Sequence, residues 1–310
     1  MSVQIEQTLS PVEASYKARD LEGIFDLRFY RPLGFRLAQF FAGLKATPSQ
    51  VTVVGALIGV VAGHLYFYRS LAINVAGMIL HVVANIFDNA DGQLARLTNQ
   101  GSRIGRALDG LGDSIVFASV YLHLALRYVL ADHSPAVAIL ALGAALSHGW
   151  QAAATDYFRN SYLVLLNGDG RVEDLSSVLQ RDYDQVTWKN DFRKKFLLGF
   201  YLNFTRREER LAPKLHALRQ MVAEEGSNEP APEVRLRFRE LGQPLLKWWG
   251  LLMTNTRMGL LFVFLLVGQP VGYLWIELTV LNLLAGVLLF QQEKLAGRLL
   301  HFLPADSRLG

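Results

Sequence analysis

Six stretches of this chain are long and apolar enough to cross a bilayer, and hydrocarbon leaves few folds open to such a chain because every backbone polar group must be satisfied internally. They run from about Val51 to Tyr68, Leu71 to Arg96, Arg103 to Leu130, Pro135 to Leu166, Leu246 to Val267 and Val271 to Phe290. The first covers roughly 27 Å at 1.5 Å per residue, and its polar side chains are Thr52, His64, Tyr66 and Tyr68. Half of the chain is apolar (51%) and only 19% is charged, which is too apolar for a soluble protein of 310 residues. The expected fold is all-α: a polytopic membrane protein with six transmembrane helices.

The flanks refine this layout. Thr47-Pro48-Ser49-Gln50 reads as a helix start, with threonine as N-cap, proline at the first helical position and glutamine closing a capping box. Before it, Ile24 to Leu44 interleaves Phe25, Leu27, Phe29, Leu33, Phe35, Leu37 and Phe40 with Arg28, Arg31 and Arg36, a pattern suited to an N-terminal amphipathic interfacial helix. The alternative is a first packed helix. The opening to about Glu22 lacks the basic start and short apolar core of a cleaved signal peptide and is expected to be retained.

Net charge is +4, and the placement of the basic residues matters more than their number. The short linkers near Tyr68–Leu71, Leu130–Pro135 and Gly268–Val271, with their flanks, carry only Arg69 and Arg127. Lys17 to Lys45, the Arg96–Arg106 connection, the segment after Arg159, and Lys294 with Arg298 lie on the opposite side. Basic residues near spans collect on the cytoplasmic side, so both termini are expected there, and the partner is a bilayer with no nucleic acid.

Four segments follow: 1–46, the cytoplasmic N-terminus and interfacial helix; 47–166, four spans; 167–245, a cytoplasmic insertion; and 246–310, two spans and a cytoplasmic tail. Within the insertion, Phe192, Phe196, Phe200 and Phe204 recur every fourth residue and predict a helix with an aromatic stripe. It is either a lid over a site at the membrane or part of a small cytoplasmic subdomain. Glu224 to Pro232 has the composition of a flexible link.

The chemistry lies in four aspartates within 26 residues. Asp88 and Asp91 end the second span, and Asp109 and Asp113 begin the third. Spacings of three and four put each pair on one helix face. An acid inside a span costs about 2.5 kcal/mol or more near the bilayer centre, and four close carboxylates repel unless cations sit among them. With no cysteine in the chain, thiolate metal sites, iron–sulfur clusters and cysteine nucleophiles are excluded. All-oxygen ligation favours magnesium or manganese over zinc, with room for two ions. Pairing with Arg96, Arg103 or Arg106 would account for one acid, not four. Gly92, Ala95 and Gly105 leave space for a ligand beside the acids, and Arg96, one turn after Gly92, is placed to grip a phosphate.

The joint pattern Asp88-x-x-Asp91-Gly92-x-x-Ala95-Arg96, then Gly105, Asp109 and Asp113, resembles the signature of the CDP-alcohol phosphotransferase (CDP-alcohol phosphatidyltransferase) family at every fixed position. The resemblance implies a homodimeric membrane enzyme of phospholipid biosynthesis. Such an enzyme transfers the phosphoryl-alcohol part of a CDP-alcohol donor to an alcohol acceptor and releases CMP. By motif position, Asp88, Asp91 and Asp109 would be metal ligands. Asp113 would be the catalytic base and a further metal ligand. Gly92, Ala95, Arg96 and Gly105 would border the CDP moiety. Arg159 and Arg257 are candidate acceptor-binding residues, whereas His81, His148, Glu277 and Asn282 read as interhelical hydrogen-bonding groups.

Six spans and a short chain look like the users of CDP-diacylglycerol. Against that, Arg96-Leu97-Thr98-Asn99 is similar to a run in the choline and ethanolamine branch, whose transfer goes to a lipid hydroxyl. From another class, a divalent-cation transporter would also use intramembrane carboxylates. It would need polar residues continuing towards the outer side, and all four acids lie in cytoplasmic halves.

Overall fold

Between Pro48 and Leu65 a glycine recurs every fourth residue, at Gly55, Gly59 and Gly63, and two other helices close on this stripe. In the computed structural model a Cβ on Gly59 would lie 2.6 Å from Val116 Cγ2, one on Gly63 2.7 Å from Ser119 Oγ, and one on Gly55 2.8 Å from Phe87 Cβ. Helix α2 (Pro48–Leu65) therefore packs with its backbone almost against α3 (Leu71–Leu97) and α4 (Arg103–Asp132). The Thr47 capping box is formed in full, with Thr47 Oγ1 accepting from the Gln50 amide and Gln50 Oε1 from the Thr47 amide.

The structure describes residues 23–167, 175–224 and 232–302. The polar opening and most of the Glu224–Pro232 link lie outside the described residues. Among those described, six candidate spans are long and apolar enough to cross a membrane: Pro48–Leu65, Leu71–Leu97, Arg103–Ala131, Pro135–Leu166, Pro232–Leu266 and Pro270–His301. The chain is an integral, multi-pass, all-α membrane protein.

Ahead of the spans, a π-helical turn (Asp26–Tyr30) leads into α1 (Arg31–Gly43), which packs along the last turns of α3. The Gln93 side-chain amide donates to the Arg31 carbonyl at 3.1 Å, while Ile24, Phe25, Phe40 and Leu44 stay exposed. The segment thus both packs on the bundle and keeps an apolar face outward, combining the two expectations.

The turn between α3 and α4 is built by Asn99, at φ 53°, in the left-handed conformation that ends many helices. The Gln100 amide returns to the Ala95 carbonyl at 2.9 Å, and Ser102 caps α4 by accepting from the Gly105 amide at 3.0 Å. Helix α5 (Pro135–Asn167) completes the fourth span.

The insertion folds into α6 (Ser176–Gln185), α7 (Phe192–Leu211) and α8 (Pro213–Glu224). Helix α7 packs across the ends of α4 and α5. The first amides of α8, at Lys214 and Leu215, donate to Glu293 at 2.9 and 3.1 Å.

The last two spans differ from the continuous helices expected. The fifth is split into α9 (Pro232–Trp249), a 3₁₀ turn (Gly250–Leu252) and α10 (Thr254–Leu266), and the sixth into α11 (Pro270–Leu278) and α12 (Val280–Phe302). Apolar composition hides such breaks, because side chains elsewhere satisfy the freed carbonyls. Arg257 Nε donates to the Leu252 carbonyl at 2.9 Å, Thr256 Oγ1 to that of Gly250 at 3.2 Å, and Gln151 Nε2 to that of Glu277 at 3.2 Å.

Candidate active site

The α3–α4 hairpin brings the acids together. Asp88, Asp91 and Asp109 each offer a carboxylate oxygen, and the three lie within 4.8 Å of one another. Asp91 is buried and Asp109 half-buried. Like charges this close repel unless protons or cations sit among them, and an all-carboxylate donor set suits a hard divalent ion. The residues present therefore fit a metal. Asp113 stands one turn beyond Asp109, exposed, and outside this compact trio.

Three open cavities meet here. One, about 520 Å³, is lined by the four aspartates, Thr52 and His81. A larger one, about 1570 Å³, runs from Asp88, Asp109 and Asp113 under α7, past Arg106, Arg159 and Arg219. The third, about 1040 Å³, is a more apolar groove between α4 and α5, bordered by Phe117, Ala118 and Ala145. Asp113 and Thr254 line all three.

Several residues that hold this site were not identified from sequence. Thr52 Oγ1 donates to Asp91 Oδ2 at 2.5 Å from the neighbouring helix, fixing the buried carboxylate. Its signal was a hydroxyl one turn into an otherwise apolar span. The break before α10 puts Thr254 and Asn255 into the cavities. Asn255 Oδ1 accepts from Asn85 Nδ2 at 2.7 Å, and Asn255 Nδ2 donates to Asp26 Oδ1 at 2.6 Å. Nothing in the local sequence marks these two contacts, which span 170 and 229 residues.

The remaining candidates separate. Gly92, Ala95, Arg96 and Gly105 line none of the three cavities and lie around the α3–α4 turn. The Arg96 guanidinium folds back towards Gly92, where an added Cβ would meet Nη1 at 3.6 Å. Arg159 lines both the large cleft and the apolar groove.

Arg257 lines the apolar groove from within the helix break. It is 1% exposed, ion-paired with Glu277, and donates through Nη2 to Gln151 Oε1 at 2.7 Å. With Nε on the Leu252 carbonyl, its guanidinium is committed to the helix break. The Thr98-Asn99 pair likewise has a local structural role, since Thr98 Oγ1 bonds the Leu94 carbonyl at 2.8 Å and Asn99 makes the turn. His81 bonds the Tyr66 hydroxyl, His148 that of Tyr121, and Asn282 bonds Ser147, Trp150 and Gln151, all between helices.

Residues 45–161, from the start of α2 to near the end of α5, match the family described as CDP-alcohol phosphatidyltransferase. Over 91 residues, 29% of this chain and 47% of the relative, the sequence is 36% identical to an archaetidylinositol phosphate synthase of Pyrococcus horikoshii. Over 141 residues, 46% of this chain and 31% of the relative, it is 28% identical to a bifunctional IPC transferase and DIPP synthase of Thermococcus kodakarensis. The match thus spans less than half the length of either curated relative.

Proposed function

We propose that the chain, through the domain matched at residues 45–161, is a metal-dependent CDP-alcohol phosphotransferase of phospholipid biosynthesis. On this reading it moves a phosphoryl-alcohol, most simply phosphatidyl from CDP-diacylglycerol, to an acceptor hydroxyl and releases CMP. The observation that carries the reading is the position of Asp113, where an acidic metal pocket, a polar cleft and an apolar groove meet. A lipid-linked donor and a hydroxyl acceptor need those three environments at one reacting atom.

Asp88, Asp91, Asp109 and Asp113 would hold two magnesium or manganese ions, which when bound neutralise the diphosphate and the departing CMP. Asp113 accepts the proton of the acceptor hydroxyl as its oxygen attacks the phosphorus that bears the donor alcohol. The bond from that phosphorus to the oxygen shared with the cytidine phosphate breaks, and CMP leaves with that oxygen and its electron pair. Thr52 holds Asp91 in place by its 2.5 Å hydrogen bond. Gly92, Ala95, Arg96 and Gly105 border the cytidine near the α3–α4 turn, and Arg159 faces the acceptor. The basic flanks support a cytoplasmic location for this face and both termini, and the family resemblance supports a homodimer, testable by light scattering in detergent.

The test is CMP release by purified protein in detergent with magnesium or manganese, CDP-diacylglycerol and a panel of acceptors, repeated with CDP-choline. Asp91→Asn and Asp113→Asn should each abolish release without lowering the unfolding temperature. Unchanged turnover in either variant would overturn the assignment, as would nucleotide-independent cation flux in sealed vesicles.

A further inference from the structure

The insertion turns its large apolar side chains inward except at one corner. Among its described residues, Trp188, Phe192 and Phe196 are exposed, at 50%, 62% and 46%. They touch one another: the Trp188 and Phe192 ring centroids are 5.3 Å apart, and Phe192 stacks on Phe196 at 6.3 Å. We propose that this aromatic patch, with the basic residues around it, docks on the anionic surface of the bilayer that the chain itself spans, and so holds α7 over the cleft.

The position of the patch supports this occupant. Helix α7 packs on α4 and α5, and Phe204 borders the apolar groove between them. Phe200, Phe196 and Phe192 continue from Phe204 in steps of four residues. Each step slightly exceeds one helical turn, so the stripe winds from the groove to the outer face, and Phe196 lies only about 12 Å along the axis from Phe204. The other end of the stripe is fixed as well. Lys195 Nζ donates to the Tyr183 carbonyl at 2.7 Å and stands 3.3 Å from the centroid of the Tyr183 ring. The neighbouring Asp182 pairs with Arg103, the first residue of α4 and of the third candidate span. Both ends are thus tied to the level at which α4 starts to cross.

The charge around the patch supports it independently. Lys189, Arg193, Lys194, Arg207 and Arg210 are exposed beside the rings and along the same helix. Between residues 185 and 211 the one exposed acid is Asp191, whose carboxylate caps α7 by accepting from the Lys194 amide at 2.9 Å; Glu208 and Glu209 are buried. Aromatic rings seat at the boundary between headgroups and acyl chains, while lysine and arginine meet lipid phosphates on flexible stems. A second copy docked through the same patch would instead set these cations against their own like.

The chain has no cysteine, so Phe196→Cys accepts an environment-sensitive fluorophore at one place. The labelled full chain is placed in nanodiscs, one chain per disc, made of phosphatidylcholine with or without phosphatidylglycerol. Emission should shift to the blue and be quenched by a nitroxide lipid in the anionic discs, less so in the zwitterionic ones. Hydrogen exchange across residues 192–204 should slow in parallel. Replacing Lys189, Arg193 and Lys194 together by glutamine should weaken docking about fivefold per charge, roughly a hundredfold in all, and remove the difference between discs. High salt, which alters no residue, should do the same. A probe that stays in water in both discs, a shift of equal size in both, or one that needs two chains per disc overturns the proposal, the last by making a second copy the occupant. A blue shift without slower exchange overturns the hold on α7. Each readout reports where α7 lies and is independent of the reaction proposed for the site.

Discussion

Asp91 belongs to the acidic trio, is buried, and accepts a hydrogen bond from a hydroxyl of the preceding span. Outer partners of this kind typically set metal affinity by about tenfold to a hundredfold. Thr52→Val should therefore shift the magnesium or manganese activation curve to higher concentration by about that factor, with nearly full turnover at saturating metal. Asp113→Asn should behave differently. Loss of a general base costs about 10² to 10⁴ in rate, so CMP formation should stay lower by about that amount even at saturating metal. The four acids were legible because carboxylates in apolar spans have no ordinary reason to be there. Thr52 was visible as a residue but not as a partner, since its contact depends on how closely two helices approach.

Among the elements, the broken fifth and sixth spans carry the clearest energetic consequence. Arg257 and Glu277 are 1% and 0% exposed and pair across α10 and α11. Removing one member strands the other charge, at a cost of about 3–5 kcal/mol, whereas replacing both by apolar residues of similar volume is often neutral. Arg257→Met should thus sharply lower the unfolding temperature in detergent, and adding Glu277→Leu should restore much of it, less the freed Leu252 carbonyl. The glycine stripe on α2 makes a second case. Gly55→Leu would force α2 and α3 apart at Phe87, costing about 1–3 kcal/mol or more by overpacking and separating Thr52 from Asp91. Metal activation and stability should be lost together.

Helix existence and most span ends were readable from apolar length and from caps such as Thr47 and Ser102. The breaks were not, because hydropathy is blind to carbonyls that a distant Arg257 or Gln151 satisfies. In the insertion, burial holds His216 below the ordinary histidine value of 6.5, and Arg219 also lowers it while Glu209 opposes. The folded state then favours neutral His216. Its contribution is present above that value and is lost as pH falls below it. The unfolding temperature should drop from pH 7 to pH 5, and His216→Gln should flatten that part of the profile.

At the scale of the whole molecule, the membrane architecture and the acidic motif follow from one dimension of the chain, while the cleft under α7 depends on its return in three. The aromatic stripe illustrates this. Phe192 and Phe196 remain exposed, but Phe200 and Phe204 turn into the cleft, so one helical repeat serves two surroundings.

The hydrogen bond from Asn255 to Asp26 gives the leading segment a hold on the candidate site. Shortening the protein past that aspartate, or fusing a bulky tag just ahead of it, would release Asn255 from one of its two anchors. Purified material prepared that way would keep its bundle yet turn over poorly, and a careless choice of expression boundary would be mistaken for an inactive enzyme.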